Sequence, residues 1–177
     1  MNDNCQELLL NSLNIYYNKN EKYKKELKIL IEGKHKLSLR LIDWLVTHYS
    51  KKCNVNYWIN GDQIYDNLPI EKKEDDKYKK INLYLNYRAQ LKSYAKLNFD
   101  TFRRHNRITF YINKNETITT TIGQLNFFRW AFNNNIIEYG LKNYDKIYNN
   151  MIANNNSKQD KKNFQEITNT LCILRFD

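Results

Sequence analysis

Glycine and proline are scarce in this sequence, whose 177 residues include only four glycines and one proline. Loops that cradle phosphates need several glycines close together, so this composition excludes them. Cys5, Cys53 and Cys172 lie far apart, which excludes a dense disulfide framework and a paired-cysteine metal motif. No apolar run approaches the roughly 18 residues of a membrane span, and the N-terminus lacks the order of a secretory signal. We therefore expect an intracellular protein with no membrane partner.

Positive charge is abundant: 29 Lys and Arg stand against 19 Asp and Glu, for a formal net charge of +10. Such an excess produces a field that attracts polyanions, and nucleic acid is the first candidate partner. The alternative is that the many Lys, Asn, Ile and Tyr residues reflect an AT-rich coding sequence. Hydrophobic residues make up 41% of the chain, enough apolar surface for a folded core.

The pattern of apolar residues predicts an α+β fold, a mostly helical single domain with two β-hairpins packed against a helical core. Helical spacing predicts helices over 3–17, 23–32, 39–52, 83–98, 121–139 and 141–151. Alternation around Asn60-Gly61 predicts one hairpin over 55–65, and the runs 107–112 and 117–121 predict a second. The charged run 71–80 is expected to be a solvated loop.

Residues that end or cap helices mark the organisation of the chain. Ser38 and the Thr121/Gln124 pair have the spacing of helix N-caps, and Gly33 and Gly140 are typical of helix ends. We predict an N-terminal helical segment over 1–34, an α+β core over 35–153, and a mobile linker with a C-terminal segment over 154–177. The last part, 164–176, fits either a docked helix or an added strand.

Basic residues recur at a spacing of four along the predicted helix 83–98 and continue into the segment that follows it. On a helix this spacing stacks side chains as one stripe. Arginine forks onto phosphates and guanine edges, and a neighbouring ring can stack on bases. The alternative is a solvated helix edge with arginines that pair with acids such as Asp100. The candidate nucleic-acid-binding residues are Arg88, Lys92, Lys96, Phe102, Arg103, Arg104, Arg107 and Lys114.

The predicted helix 121–139 has apolar residues on two sides. Phe127, Trp130 and Ile137 lie on the side opposite its core stripe, where a surface helix is normally polar. A second apolar face needs a second partner. The alternative function is therefore a virion structural or protein-interaction protein, in which these three residues dock a viral protein or a second copy of the chain.

Residues suited to catalysis or metal binding are few. His35, His48 and His105 are the only histidines, and His48 with Cys53 is one ligand pair short of a structural zinc site. We predict no catalytic residue, no metal site and no cofactor. The leading hypothesis is a non-enzymatic protein that binds DNA or RNA through its basic residues.

Three segments carry a resemblance to a known group of proteins: 38–52, 87–96 with 99–104, and 121–130. They resemble small uncharacterised proteins of giant, mimivirus-like DNA viruses, over about residues 35 to 150 and in the same order. The resemblance implies a location in the cytoplasm of an infected cell or inside the virion, and it brings no activity or catalytic residues. Thr101 departs from the pattern, in which a proline follows the Phe-Asp pair.

Overall fold

The computed structural model describes residues 3–70 and 77–157 as a single, mainly helical α+β domain. The helices are α1 (Asp3–Lys19), α2 (Glu21–Ile31), α3 (Leu39–Trp44), a π-helical turn (Leu45–Tyr49), α4 (Ser50–Lys52), α5 (Leu83–Tyr94), α6 (Ile122–Asn133) and α7 (Ile136–Lys142), followed by helical residues 144–157. The strands are β1 (Asn56–Asn60), β2 (Gln63–Tyr65), β3 (Lys79–Asn82), β4 (Ile108–Asn113) and β5 (Glu116–Thr120). The predicted fold class is confirmed.

Helix α6 lies at the centre of the core. The N-terminal helices pack against it: the Tyr17 hydroxyl donates to the Leu125 carbonyl at 2.8 Å, and the Tyr23 ring stacks on Phe132 at 4.7 Å between centroids. Leu13 and Leu27 are fully buried in the same cluster. The segment 1–34 therefore shares one core with the rest of the described chain.

The first hairpin, β1 with β2, forms as predicted around Asn60-Gly61, where Gly61 has a φ of +56°. A third strand, β3, pairs antiparallel with the other side of β1, which gives the order β2-β1-β3. The prediction of a loop throughout 71–80 is therefore wrong for Lys79 and Lys80; residues 71–76 lie outside the described chain. An edge strand tolerates lysines because only Ile81 is buried there.

The second hairpin, β4 with β5, also forms as predicted, with a register shift between Tyr111 and Asn113. Its inner face buries the apolar side chains of Phe110, Ile112 and Ile118. Lys24 of α2 lies above this face, 6.0 Å from the centre of the Phe110 ring. The inner face is thus covered by the N-terminal helices.

The predicted N-caps are confirmed. Ser38 Oγ accepts from the Leu41 N–H at 3.2 Å, and Thr121 Oγ1 accepts from the Gln124 N–H at the same distance. The Gln124 side chain does not complete a capping box but donates to the Thr101 carbonyl at 2.9 Å. Gly33 adopts a φ of +70°, as expected past a helix end.

Three predicted helix boundaries are wrong. The helix expected over 121–139 breaks at Asn135, whose φ of +50° is incompatible with a continuous helix. Gly140 lies inside α7 and ends nothing; a Cβ there would come 2.9 Å from Leu37 Cδ1, so close packing explains the glycine. The linker expected from Asn154 remains helical through 157. The C-terminal alternatives for 164–176 lie outside the described residues.

The helix of residues 39–52 has an unusual winding. Its buried residues come in pairs four positions apart: Leu41 with Ile42, Leu45 with Val46, and Tyr49 with Ser50. An ideal α-helix has 3.6 residues per turn, so such pairs would drift around it. The wider π-helical turn at Leu45–Tyr49 compensates for this drift and keeps all three pairs facing the core.

None of the helices in residues 3–70 and 77–157 is long and apolar enough to cross a membrane.

Candidate functional site

The segment between α5 and β4, residues 95–107, carries three of the predicted arginines, and we call it the arginine loop. Its backbone is anchored on both sides of Asp100. The Asp100 N–H donates to the Gly123 carbonyl at 3.3 Å, and Asp100 Oδ1 accepts from the Phe102 N–H at 2.7 Å. Phe99 and Thr101 are buried. The loop is therefore held against the start of α6.

The arginines of this loop have no acidic partner in the described chain. Arg104 and Arg107 are exposed and Arg103 is partly buried. None of the ion pairs between described residues includes any of the three. Phe102, 40% exposed, presents an aromatic surface in the same loop. The arrangement combines unneutralised guanidinium groups with a ring, as expected from the sequence.

Arg103 lies beside the N-terminus of α6. Its Cβ is 3.5 Å from the position that a Cβ on Gly123 would occupy. A small recess there is lined by Arg103, His105 and Asn106, and Asn106 has a φ of +56°. The helix N-terminus carries a partial positive charge. The local potential at Arg103 is therefore raised by the helix as well as by the guanidinium group.

The predicted stripe of Arg88, Lys92 and Lys96 does not form as a whole. Helix α5 ends at Tyr94, because Ala95 adopts a φ of +55° and a ψ of 163°. Lys96 is consequently off the helix, and its Nζ lies 3.7 Å from an Asp100 oxygen. Arg88 and Lys92 remain exposed on α5 and take part in no ion pair between described residues.

Lys114 is remote from the arginine loop. It lies in the turn of the second hairpin, whereas Arg107 precedes the opposite end of β4. Six strand residues at about 3.3 Å each separate them by roughly 20 Å. Lys114 instead borders a groove between α1 and β4 with Asn18 and Lys24. The hairpin tip and the arginine loop are therefore separate positive regions.

The outer face of the second hairpin was missed by the sequence analysis. Thr109 pairs with Thr119 and Tyr111 with Thr117, and all four side chains are exposed. Tyr111 is 65% exposed, so its ring is available for stacking. The strict alternation of Thr and Tyr with buried Phe110 was the signal that could have identified this face. The face begins directly after Arg107.

The prediction of an exposed second apolar face on 121–139 is wrong. Phe127, Trp130 and Ile137 are only 1%, 6% and 0% exposed. Trp130 Nε1 donates to Asn86 Oδ1 at 2.8 Å, and the Trp130 ring lies 5.3 Å from that of Phe99. These residues are buried because α6 is central and is covered on both sides by this chain's own elements.

A second positive region, absent from the sequence predictions, lies between α5, α6 and β3. The Arg129 guanidinium donates to Asn126 Oδ1 at 2.7 Å and to Ser12 Oγ at 2.9 Å. Lys79 Nζ donates to Asn134 Oδ1 at 3.0 Å. One signal was available: Arg129 interrupts the apolar run of α6. Its partner Ser12, 117 positions away, could not be inferred.

The histidines and cysteines are dispersed. His48 stacks on Trp44 at 4.3 Å, His35 Nε2 lies 3.8 Å from Glu26 Oε1, and Cys53 is exposed as a free thiol. Burial lowers the pKa of His35. Within residues 3–70 and 77–157, no three His, Cys, Asp or Glu side chains come together as a group that could hold a metal ion.

These features define a small basic α+β domain with an anchored arginine loop. The chain belongs to DUF7197, a family of unknown function whose model matches residues 2–172. It is 31% identical over 164 residues to "Uncharacterized protein L507" of Acanthamoeba polyphaga mimivirus, which confirms the expected relation to proteins of mimivirus-like DNA viruses. The match covers 88% of this chain and 58% of that protein's length. No solved structure is similar to the chain.

Proposed function

We propose that this protein binds nucleic acid without acting on it, and that the arginine loop makes the main phosphate contacts. The observation that carries the proposal is that Arg103, Arg104 and Arg107 share one anchored loop and have no acidic partner in the part of the chain that the structure describes. Arginines already paired with carboxylates would release little free energy on meeting a phosphate, whereas these can displace its counterions.

The outer face of the second hairpin extends this surface. It follows Arg107 directly and presents small threonines around the exposed ring of Tyr111. A two-stranded ribbon fits a major groove, and an exposed ring stacks on unpaired bases. DNA and RNA are both candidate ligands. The relation to a mimivirus protein supports action in an infected cell or within a virion.

The test compares two triple variants that remove the same charge from different places. One is Arg103→Ala/Arg104→Ala/Arg107→Ala. The control is Lys25→Ala/Arg40→Ala/Lys146→Ala, which removes exposed cations that lie outside the loop. Fluorescence anisotropy would measure the affinity of each protein for a labelled single strand, a duplex and an RNA of matched sequence over a range of salt concentrations.

We expect the loop variant to bind at least tenfold more weakly than wild type. Its slope of log K against log salt should become shallower by about 2 to 3, because each phosphate contact contributes about 0.7 to 0.9. The control should change the affinity much less. Equal losses in the two triple variants would reduce the interaction to general charge attraction, and unchanged binding in the loop variant would refute the proposal.

The alternative of a protein that docks a partner through Phe127, Trp130 and Ile137 has no support, since those side chains fill this chain's own core.

A further inference from the structure

The groove between α5, α6 and β3 has the size of a small-molecule site. Its volume is about 470 Å³, within the range of typical ligand pockets. Gln90 and Tyr94 line it from α5, Arg129 and Asn133 from α6, and Lys79 from β3. No Asp or Glu is among the described residues that line it. The groove therefore has two cations and no acid in its wall.

Arg129 is held in this groove entirely by neutral groups. Besides Asn126 and Ser12, its guanidinium donates to the Tyr94 hydroxyl at 3.4 Å. A partly buried arginine is normally paired with a carboxylate, because its charge is costly to remove from water. Here the fold orients the guanidinium through three uncharged acceptors, and its positive charge stays uncompensated within the described chain.

Lys79 is oriented in the same way. Its ammonium donates to Asn134 Oδ1, and the Asn134 side chain is fixed in turn by a 2.8 Å bond from its amide nitrogen to the Trp130 carbonyl. Asn134 is only 4% exposed. A buried asparagine that is itself hydrogen-bonded gives the lysine a defined position at the groove. Two different elements thus bring two oriented cations to one cavity.

The remaining groups of the wall are neutral donors and rings. The Asn133 carbonyl oxygen accepts from the Tyr16 hydroxyl at 2.9 Å, which leaves the Asn133 amide nitrogen as a donor. Gln90 contributes another amide, and Tyr94 contributes a ring and a hydroxyl. An anion with several oxygens uses such a set fully, since the guanidinium fork takes two oxygens and the ammonium and amides take others.

We propose that this groove binds a phosphoryl group. The group belongs either to a phosphomonoester such as a nucleoside monophosphate or to the diester backbone of a nucleic acid. Phosphate fits better than a carboxylate because its oxygens can satisfy the guanidinium, the ammonium and the amide donors together. The site shares no residue with the arginine loop, so it goes beyond the proposed function and stands independently of it.

The test uses three single variants. Lys79→Gln removes an exposed ammonium at the groove. Arg129→Lys keeps the charge and removes the fork. Lys80→Gln is the matched control, because successive residues of a strand point to opposite faces and Lys80 lies over the Trp58 ring instead. Isothermal titration calorimetry at constant ionic strength would measure the binding of inorganic phosphate, AMP and adenosine to each full-length protein.

We expect phosphate and AMP to bind wild type and Lys80→Gln, and to bind Lys79→Gln and Arg129→Lys at least tenfold more weakly. Adenosine, which has no phosphate, should not bind. The loop variant Arg103→Ala/Arg104→Ala/Arg107→Ala should keep full AMP affinity, which separates this site from the proposed function. Thermal unfolding of each variant checks that Arg129→Lys folds, and Lys79→Gln provides the test on its own if it does not.

Competition then identifies the source of the phosphoryl group. An oligonucleotide without terminal phosphates that displaces AMP from the groove indicates a diester ligand, and one that leaves AMP bound indicates a phosphomonoester; both results support the site. Failure of phosphate and AMP to bind wild type, or equal affinity of wild type and Lys79→Gln, overturns the proposal.

Discussion

The carboxylate of Asp100 accepts a hydrogen bond from the backbone N–H of Phe102 at 2.7 Å, and this bond fixes the turn from which the arginine loop departs. The same carboxylate lies 3.7 Å from Lys96 Nζ. Asp100 therefore has two separable effects on the loop. It determines the backbone geometry, and it places a negative charge near the cations that are proposed to contact phosphates.

Replacing Asp100 with asparagine separates these effects. Asp100→Asn keeps an oxygen acceptor for the Phe102 N–H and removes the negative charge. We expect the affinity for nucleic acid to rise by up to about fivefold, which corresponds to roughly 1 kcal/mol for one charge near the surface. Anisotropy at low salt would measure the change. The control is Asp145→Asn, an exposed change of equal charge; an equal rise in both variants would count against a local role for Asp100.

Trp130 should contribute to stability and not to assembly. Its ring is in contact with Phe99 and Phe127, and its indole N–H is bonded to Asn86. We expect Trp130→Ala to lower the free energy of unfolding by about 3 to 5 kcal/mol, the usual cost of removing a buried tryptophan.

Denaturant unfolding would measure this loss, with Phe102→Ala as the exposed aromatic control, for which the loss should stay below about 0.5 kcal/mol. A Trp130→Ala protein of normal stability but altered oligomeric state, determined by sedimentation, would instead restore the docking role expected from the sequence.

Glu138 should make stability depend on pH. Burial, followed by the nearby charge of Glu26, raises the pKa of the Glu138 carboxyl above its usual 4.5. Its Oε2 atom is buried without a hydrogen-bond partner in the described chain. A raised pKa in the folded state means that the favourable contribution is complete below pH 4.5 and is lost as the pH rises through the folded-state value.

Glu138→Gln removes the charge that must otherwise be buried. We expect it to raise the unfolding midpoint at pH 7 and to leave it nearly unchanged at pH 4, where the wild-type carboxyl is already neutral in both states. Thermal unfolding across this pH range would measure the difference. Glu7→Gln on the exposed side of α1 is the control and should show no such pH dependence. An equal gain at both pH values would mean that the pKa is not raised.

Local signals in the sequence were sufficient for much of the fold. The caps at Ser38 and Thr121 and the turn at Asn60-Gly61 depend on residues within four positions of each other, and all three formed as predicted. The resemblance to giant-virus proteins was also correct. The arginine loop could be located because its charges are adjacent in sequence.

The features that the sequence analysis missed depend on distant partners or on backbone conformation. Strand β3 forms because β1 offers it an edge, which the charged sequence around Lys79 does not reveal. The positive φ of Ala95 and of Asn135 ends helices whose apolar pattern continues. The Arg129 groove needs Ser12 and Asn126 together, and only the folded chain brings them there.

The π-helical turn at Leu45–Tyr49 also determines which changes in chain length the protein can tolerate. Loss of one residue from this turn would let the helix relax to ordinary α geometry and rotate everything after it by about 100°. The Tyr49–Ser50 pair would then swing out of the core, and Lys51 would swing towards it. An in-frame deletion here should therefore be far more damaging than one in an exposed segment.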